Sequence, residues 1–231
     1  SSYDKRDHDD YTPFPHFLAA AASYVKKFTK HKVFFRDSIA LCDSYDTFYN
    51  YIRENEFDII VIESQSTSWD HDKNLINELN LKFKKLKVIL TGPVVNNYKQ
   101  EDLKSIGIYS ACKGEYDKNI IPAIELEGKI QDYDLLTIDE MNNSPFPWND
   151  ETHFNMYSDH TPVKPDYPMF WMWTSRGCPY KCNFCVWPSS MTNNDPDGNS
   201  KIKVRQYSAD YVREYMKHTQ NNFPYKSIFV D

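Results

Sequence analysis

The run Phe57 to Ile62, FDIIVI, constrains this chain more than any other segment. An apolar, β-branched stretch without alternation suits a strand buried on both faces, and such strands belong to parallel sheets covered by helices. The flanking sequence agrees. Apolar residues recur at helical spacing from His16 to Lys30, with Lys26, Lys27 and Lys30 near the end, where the helix dipole favours cations. Val33 to Arg36 reads as a short strand, Asp46 to Asn55 and Asp70 to Lys85 as helices, and Leu86 to Leu90 as a second buried strand stopped by Thr91-Gly92-Pro93. A helix over Gln100 to Ser105, a strand near Ile108 to Ala111, the turn Gly114-Glu115 and a helix over Asp117 to Leu126 continue the alternation. The pattern predicts an α/β domain with a doubly wound parallel sheet, whose ligands sit at the carboxyl ends of the strands. The loops Glu63 to Trp69, Gly92 to Tyr98 and Gly114 to Asp117 occupy that edge.

From Lys129 the periodicity stops, and Pro145, Pro147, Pro162, Pro165 and Pro168 punctuate a polar, aromatic stretch read as a linker. Regularity resumes with a strand over Met169 to Trp173, a helix over Ser208 to Thr219 with Ser208 as N-cap, and a strand over Ser227 to Val230. A chain of 231 residues accommodates two such units. One strand, loop, helix, strand unit cannot bury its own faces, and the first residue is Ser, so a longer natural protein is expected. The net charge of −6 argues against general attraction to nucleic acid or anionic membranes. No apolar run approaches the roughly 18 residues of a membrane span, and Ser1 to Asp10 do not resemble a secretory signal. A cytoplasmic protein is expected.

Five cysteines are present, and three of them, Cys178, Cys182 and Cys185, fall in the segment CPYKCNFC. An odd, bunched set does not make a disulfide framework and points to a reducing compartment. Three thiolates so spaced can each bind one iron of a cubane cluster and leave the remaining iron open to a substrate or cofactor. Structural zinc is the alternative, with His153, His160 or His218 as further ligand. Cys42 and Cys112 read as small buried residues.

The spacing CxxxCxxC, with aromatic Phe184 before the last cysteine, resembles the hallmark of the radical S-adenosylmethionine (SAM) enzymes. The resemblance implies that Cys178, Cys182 and Cys185 ligate a [4Fe-4S] cluster whose open iron is chelated by SAM, with Phe184 near the adenine. It implies reductive cleavage of SAM to a 5′-deoxyadenosyl radical that modifies an unactivated carbon of a small-molecule or peptide substrate. The electron would come from a donor such as flavodoxin or ferredoxin. In that family the motif follows the first strand of a (β/α) barrel, the place held here by Met169 to Gly177. Arg205 and the Ser227 to Asp231 strand also look like family positions.

The order of segments further resembles the subgroup with an N-terminal cobalamin-binding-like domain, through Leu18-Ala-Ala, Phe57 to Ile62, Thr91-Gly92-Pro93 and Lys113-Gly114-Glu115. It implies cobalamin as a methyl carrier, with Gly92 and Gly114 leaving room for a corrin, Ser64 and Ser66 bonding its nucleotide tail, and Glu115 at the same edge. On this reading residues 1–128 form a flavodoxin-like domain, 129–168 a linker, and 169–231 the opening of a radical SAM barrel. Two departures stand against it. The chain lacks DxHxxG, leaving His71 a loop histidine, and the first of five expected strands is missing from a 2-1-3-4-5 order. A binding module without catalysis, holding cobalamin or another ligand beside a degenerate barrel, is the alternative from another class, and an electron-transfer protein is a third.

Overall fold

A computed structural model describes residues 12–158, 166–180, 182, 184–185 and 204–230. Helix α1 (His16–Phe28) and helix α2 (Tyr45–Asn55) precede strand β1 (Ile59–Glu63), helix α3 (Trp69–Lys82) and strand β2 (Lys87–Thr91). A 3-10 helix (Pro93–Asn97), helix α4 (Gln100–Ser105), strand β3 (Ser110–Gly114) and helix α5 (Ile120–Glu125) follow. Strand β4 (Gln131–Asp134) completes a four-stranded sheet of order β1-β2-β3-β4, parallel throughout.

The sheet is covered on both faces, as its sequence requires. Val88 and Leu90 of β2 pack with Ile76 and Leu79 of α3, Ile52 of α2 and Leu103 of α4, while Ile89 between them joins Ala21 and Val25 of α1 and Ile120 and Ala123 of α5. Successive strand residues point to opposite faces, so one apolar run feeds two cores. This agrees with the expected doubly wound arrangement.

Two expectations change. Val33 to Arg36 is extended but joins no ladder among the described residues. The stretch expected to be irregular after Lys129 contains β4 and helix α6 (Ile138–Asn143), which Thr137 and Glu140 close with a reciprocal capping box.

The second unit comprises strand β5 (Met169–Met172), strand β6 (Ser175–Arg176), strand β7 (Arg205–Gln206), helix α7 (Ala209–Asn222) and strand β8 (Ser227–Val230). Strand β5 pairs in parallel with β8, and the two-residue strands β6 and β7 pair antiparallel. Phe170, Met172 and Tyr215 form its core with Phe146 from the preceding segment, whose ring stacks on Tyr215 at 4.7 Å. This is the expected strand, loop, helix, strand unit; a closed barrel is not seen among the described residues.

Candidate functional site: a cysteine loop clamped to the sheet

Strands β6 and β7 are the two arms at the base of the loop that carries the cysteines, and each contributes an arginine. Arg176, only 1% exposed, donates from Nη1 and Nη2 to the two carboxylate oxygens of Asp117 at 2.8 and 2.7 Å. Its Nε donates to the Tyr207 hydroxyl at 3.1 Å. Arg205 makes the second fork: Nη1 donates to Glu115 Oε2 at 2.8 Å, Nη2 to Glu115 Oε1, and Nη1 also to the Leu136 carbonyl. Glu115 and Asp117 leave the carboxyl end of β3, held at Gly114, whose φ of +74° and contact with the Asp134 main chain leave no room for a Cβ. The cysteine loop is thus closed at its neck and fastened to the carboxyl-terminal edge of the first sheet by buried, bidentate ion pairs.

The electrostatics follow from that burial. Desolvation alone would raise the Asp117 pKa, but the Arg176 charge and its hydrogen bonds outweigh it and hold the carboxyl below the ordinary range. Arg176, penalised by burial, is held charged by Asp117 and Glu115. Beside them His16 is enclosed, its ring stacked on Trp173 at 5.5 Å and edge-on to Phe17 at 5.8 Å. Burial, reinforced by Arg176, lowers its pKa to about 3, and neither ring nitrogen has a hydrogen-bond partner among the described residues.

The cysteines come directly after this clamp. Cys178 is two residues beyond Arg176, and the Cys185 amide donates to the Cys182 carbonyl at 3.1 Å, a turn that keeps these two close along the chain. No disulfide engages any of the three; Cys182 is exposed, and Cys178 and Cys185 are half-buried. The chemistry of this donor set, three thiols on a loop beyond a strand end, fits a three-cysteine cluster. Among the described residues, however, no group of three or more Cys, His, Asp and Glu side chains is gathered closely enough to hold a metal ion. Phe184 is 88% exposed. Of the zinc alternatives, His153 is buried and bonded to Asp150 Oδ1 at 2.8 Å, the His218 ring lies tilted against Phe146 at 5.2 Å, and His160 lies outside the described residues, as do Asp231 and the stretch Thr192 to Ser200.

The residues marked for cobalamin are placed differently. Ser64 is buried and its hydroxyl donates to Asp72, which also accepts from the Ser68 hydroxyl at 2.7 Å; this couple secures the start of α3. Ser66 is exposed in the turn before that helix. Gly92, at φ +101°, lies against the Ser64 main chain, and Glu115 belongs to Arg205. As they stand, Ser64 and Glu115 are engaged within the protein, while Ser66 is exposed. His71 sits on the exposed side of α3 near the Tyr45 hydroxyl. Sequence reasoning missed Asp117, Arg176, His16 and Trp173 as members of the site, although the acidic pair Glu115 and Asp117 at a strand end was a readable signal.

No known family and no curated protein matches the chain. Among solved structures, the N-terminal domain of a hypothetical protein from Thermotoga maritima is similar, at 18% identity and a TM-score of 0.37, covering 55% of this chain and 93% of that one. What the fold defines is an α/β protein with a four-stranded parallel sheet flanked by helices. No helix among the described residues is long and apolar enough to cross a membrane.

Proposed function

We propose that the chain is part of a radical SAM enzyme in which Cys178, Cys182 and Cys185 hold a [4Fe-4S] cluster. The observation that carries this reading is the CxxxCxxC motif on a loop leaving the carboxyl end of β5, its thiols free of disulfides and its neck fixed by Arg176 and Arg205. When bound, such a cluster supplies the electron for reductive cleavage of SAM. The protein's own residues do the rest: the thiolates fix the iron, and the paired arginines orient the loop against Glu115 and Asp117. The aromatic side chains Phe17 and Trp173, which touch each other at 5.1 Å, help exclude water beside that neck. The reading is confined to cluster and SAM, because Ser64 and Glu115, marked for cobalamin, already have partners within the protein.

That no three Cys, His, Asp or Glu side chains are gathered for a metal among the described residues favours a second reading, a ligand-binding module without catalysis. One experiment distinguishes them: anaerobic reconstitution with iron and sulfide, then SAM and a strong reductant. The enzyme reading expects 5′-deoxyadenosine, lost in Cys182→Ala; no product from a reconstituted chain supports the module and overturns the enzyme.

A further inference from the structure

Four consecutive side chains at the carboxyl end of β3 are each tied to a different element. Glu115 is held by Arg205 of β7 and Asp117 by Arg176 of β6. Lys118 donates to Glu140 of α6 at 2.8 Å and pairs with Asp134 of β4 at 2.9 Å. Tyr116, between the two acids, donates from its hydroxyl to Glu63 Oε2 at the end of β1, at 2.9 Å, and Glu63 Oε1 accepts from Gln65 at 3.2 Å. The first three ties explain the clamp and its surroundings. The bond from Tyr116 to Glu63 touches neither arginine, yet it is made by the residue that joins the two carboxylates in the chain.

The clamp is sensitive to where those carboxylates stand. Arg176 and Arg205 are directly opposite each other in the β6–β7 ladder. Like charges so placed repel, and a ladder of two residue pairs has little of its own to set against the repulsion. Glu115 and Asp117 cancel it, and the Arg176 guanidinium lies 3.7 Å from Glu115 as well as on Asp117. Each fork uses both oxygens of its carboxylate, a geometry that tolerates little displacement. The neck therefore closes only if the main chain sets residues 115 and 117 in register with the arginines. Ahead of them the Gly114 amide donates to Asn96 Oδ1 and the Glu115 amide to the Asp134 carbonyl, both at 2.9 Å. Between them the fixing falls to Tyr116, whose ring is buried with Ile89 and Ile120 and whose hydroxyl is on Glu63.

We propose that Glu63 and Tyr116 are positioning residues for the cysteine loop: their hydrogen bond pins the segment 114–118 so that Glu115 and Asp117 hold the opposed arginines and keep the neck before Cys178 closed. Neither residue touches the arginines; both act through the two acids. The consequence for SAM cleavage rests on the proposed cluster, whereas the closing of the neck does not.

The first readout needs no iron. The Tyr207 amide donates to the Thr174 carbonyl across the neck at 3.0 Å, so its hydrogen exchange reports whether the neck is closed. In Tyr116→Phe, which keeps the ring and loses the bond, that amide exchanges faster by about tenfold or more, while Val88, Ile89 and Leu90 of the enclosed β2 stay within about twofold of wild type. Glu63→Gln, which still forms a hydrogen bond with the hydroxyl, restores the wild-type rate at Tyr207. A purely structural loss would instead speed the β2 amides together with Tyr207. Should Tyr116→Phe unfold the chain, Glu63→Met against Glu63→Gln makes the same comparison. In the anaerobically reconstituted chain with SAM and a strong reductant, 5′-deoxyadenosine formed per cluster falls in Tyr116→Phe and returns in Glu63→Gln. An unchanged Tyr207 rate, amides that all accelerate together, or an undiminished yield beside an opened neck overturns the proposal. A wild-type chain that forms no 5′-deoxyadenosine overturns the enzyme reading instead, and the exchange rates then decide the positioning role alone.

Discussion

Replacing Arg176 by Met tests the clamp at its most buried point. The guanidinium and the Asp117 carboxylate are each about 2% exposed or less and share two hydrogen bonds of 2.7 and 2.8 Å. Truncating one partner of such a pair leaves the other charged and desolvated, which costs about 3–5 kcal/mol, whereas replacing both by apolar groups is near neutral. Urea denaturation followed by circular dichroism and tryptophan fluorescence gives the assay. With a slope of about 2–3 kcal/mol per molar urea, Arg176→Met lowers the midpoint by about 1–2 M. The double variant Arg176→Met, Asp117→Leu recovers most of that loss. The pair holds Asp117 below the ordinary carboxylate range, so its contribution is whole at neutral pH and disappears only as pH falls through the depressed value. A midpoint shift under about 0.5 M for the single variant, or a double variant as unstable as the sum of the singles, refutes the reasoning.

Further outcomes follow from the same contacts. His16 stays neutral in the fold down to about pH 3 while its unfolded form takes up a proton near pH 6.5. Stability therefore falls by about 1.4 kcal/mol per unit of pH below that, or about 2 kcal/mol at pH 5. His16→Leu removes this slope in urea titrations at pH 7 and pH 5; an unchanged slope contradicts the assignment. Burial pushes the Cys112 thiol up to about 12, so iodoacetamide labels Cys42, Cys178, Cys182 and Cys185 in native protein and spares Cys112, as peptide mass spectrometry will show. Gly92→Ala places a Cβ against the Ser64 main chain at a φ of +101° and lowers stability by about 2 kcal/mol or more, read from the urea midpoint.

The interior of the first sheet was legible because its strands are apolar throughout: Phe57 to Ile62 and Leu86 to Leu90 announce β1 and β2 to within a residue or two. Strand β4 was not, since Gln131-Asp132-Tyr133-Asp134 has an edge strand's polar character, and Thr137 with Glu140, though a readable capping box, lay in a proline-rich context. Val33 to Arg36 has a strand's composition but no ladder partner among the described residues, and composition does not provide one. The three cysteines stood out through their spacing alone. Asp117 and Arg176 did not, because 59 residues separate them and only the crossing of β3 with the neck of the cysteine loop brings them together.

Whether the cysteine loop holds iron is addressed directly by Mössbauer spectroscopy of chain reconstituted anaerobically with ⁵⁷Fe. The account predicts one cubane cluster per chain, one iron site of which changes its isomer shift when SAM is added, and no cluster when Cys178, Cys182 and Cys185 are all Ala. Absence of a cluster spectrum, a spectrum indifferent to SAM, or iron held equally by the triple variant contradicts it.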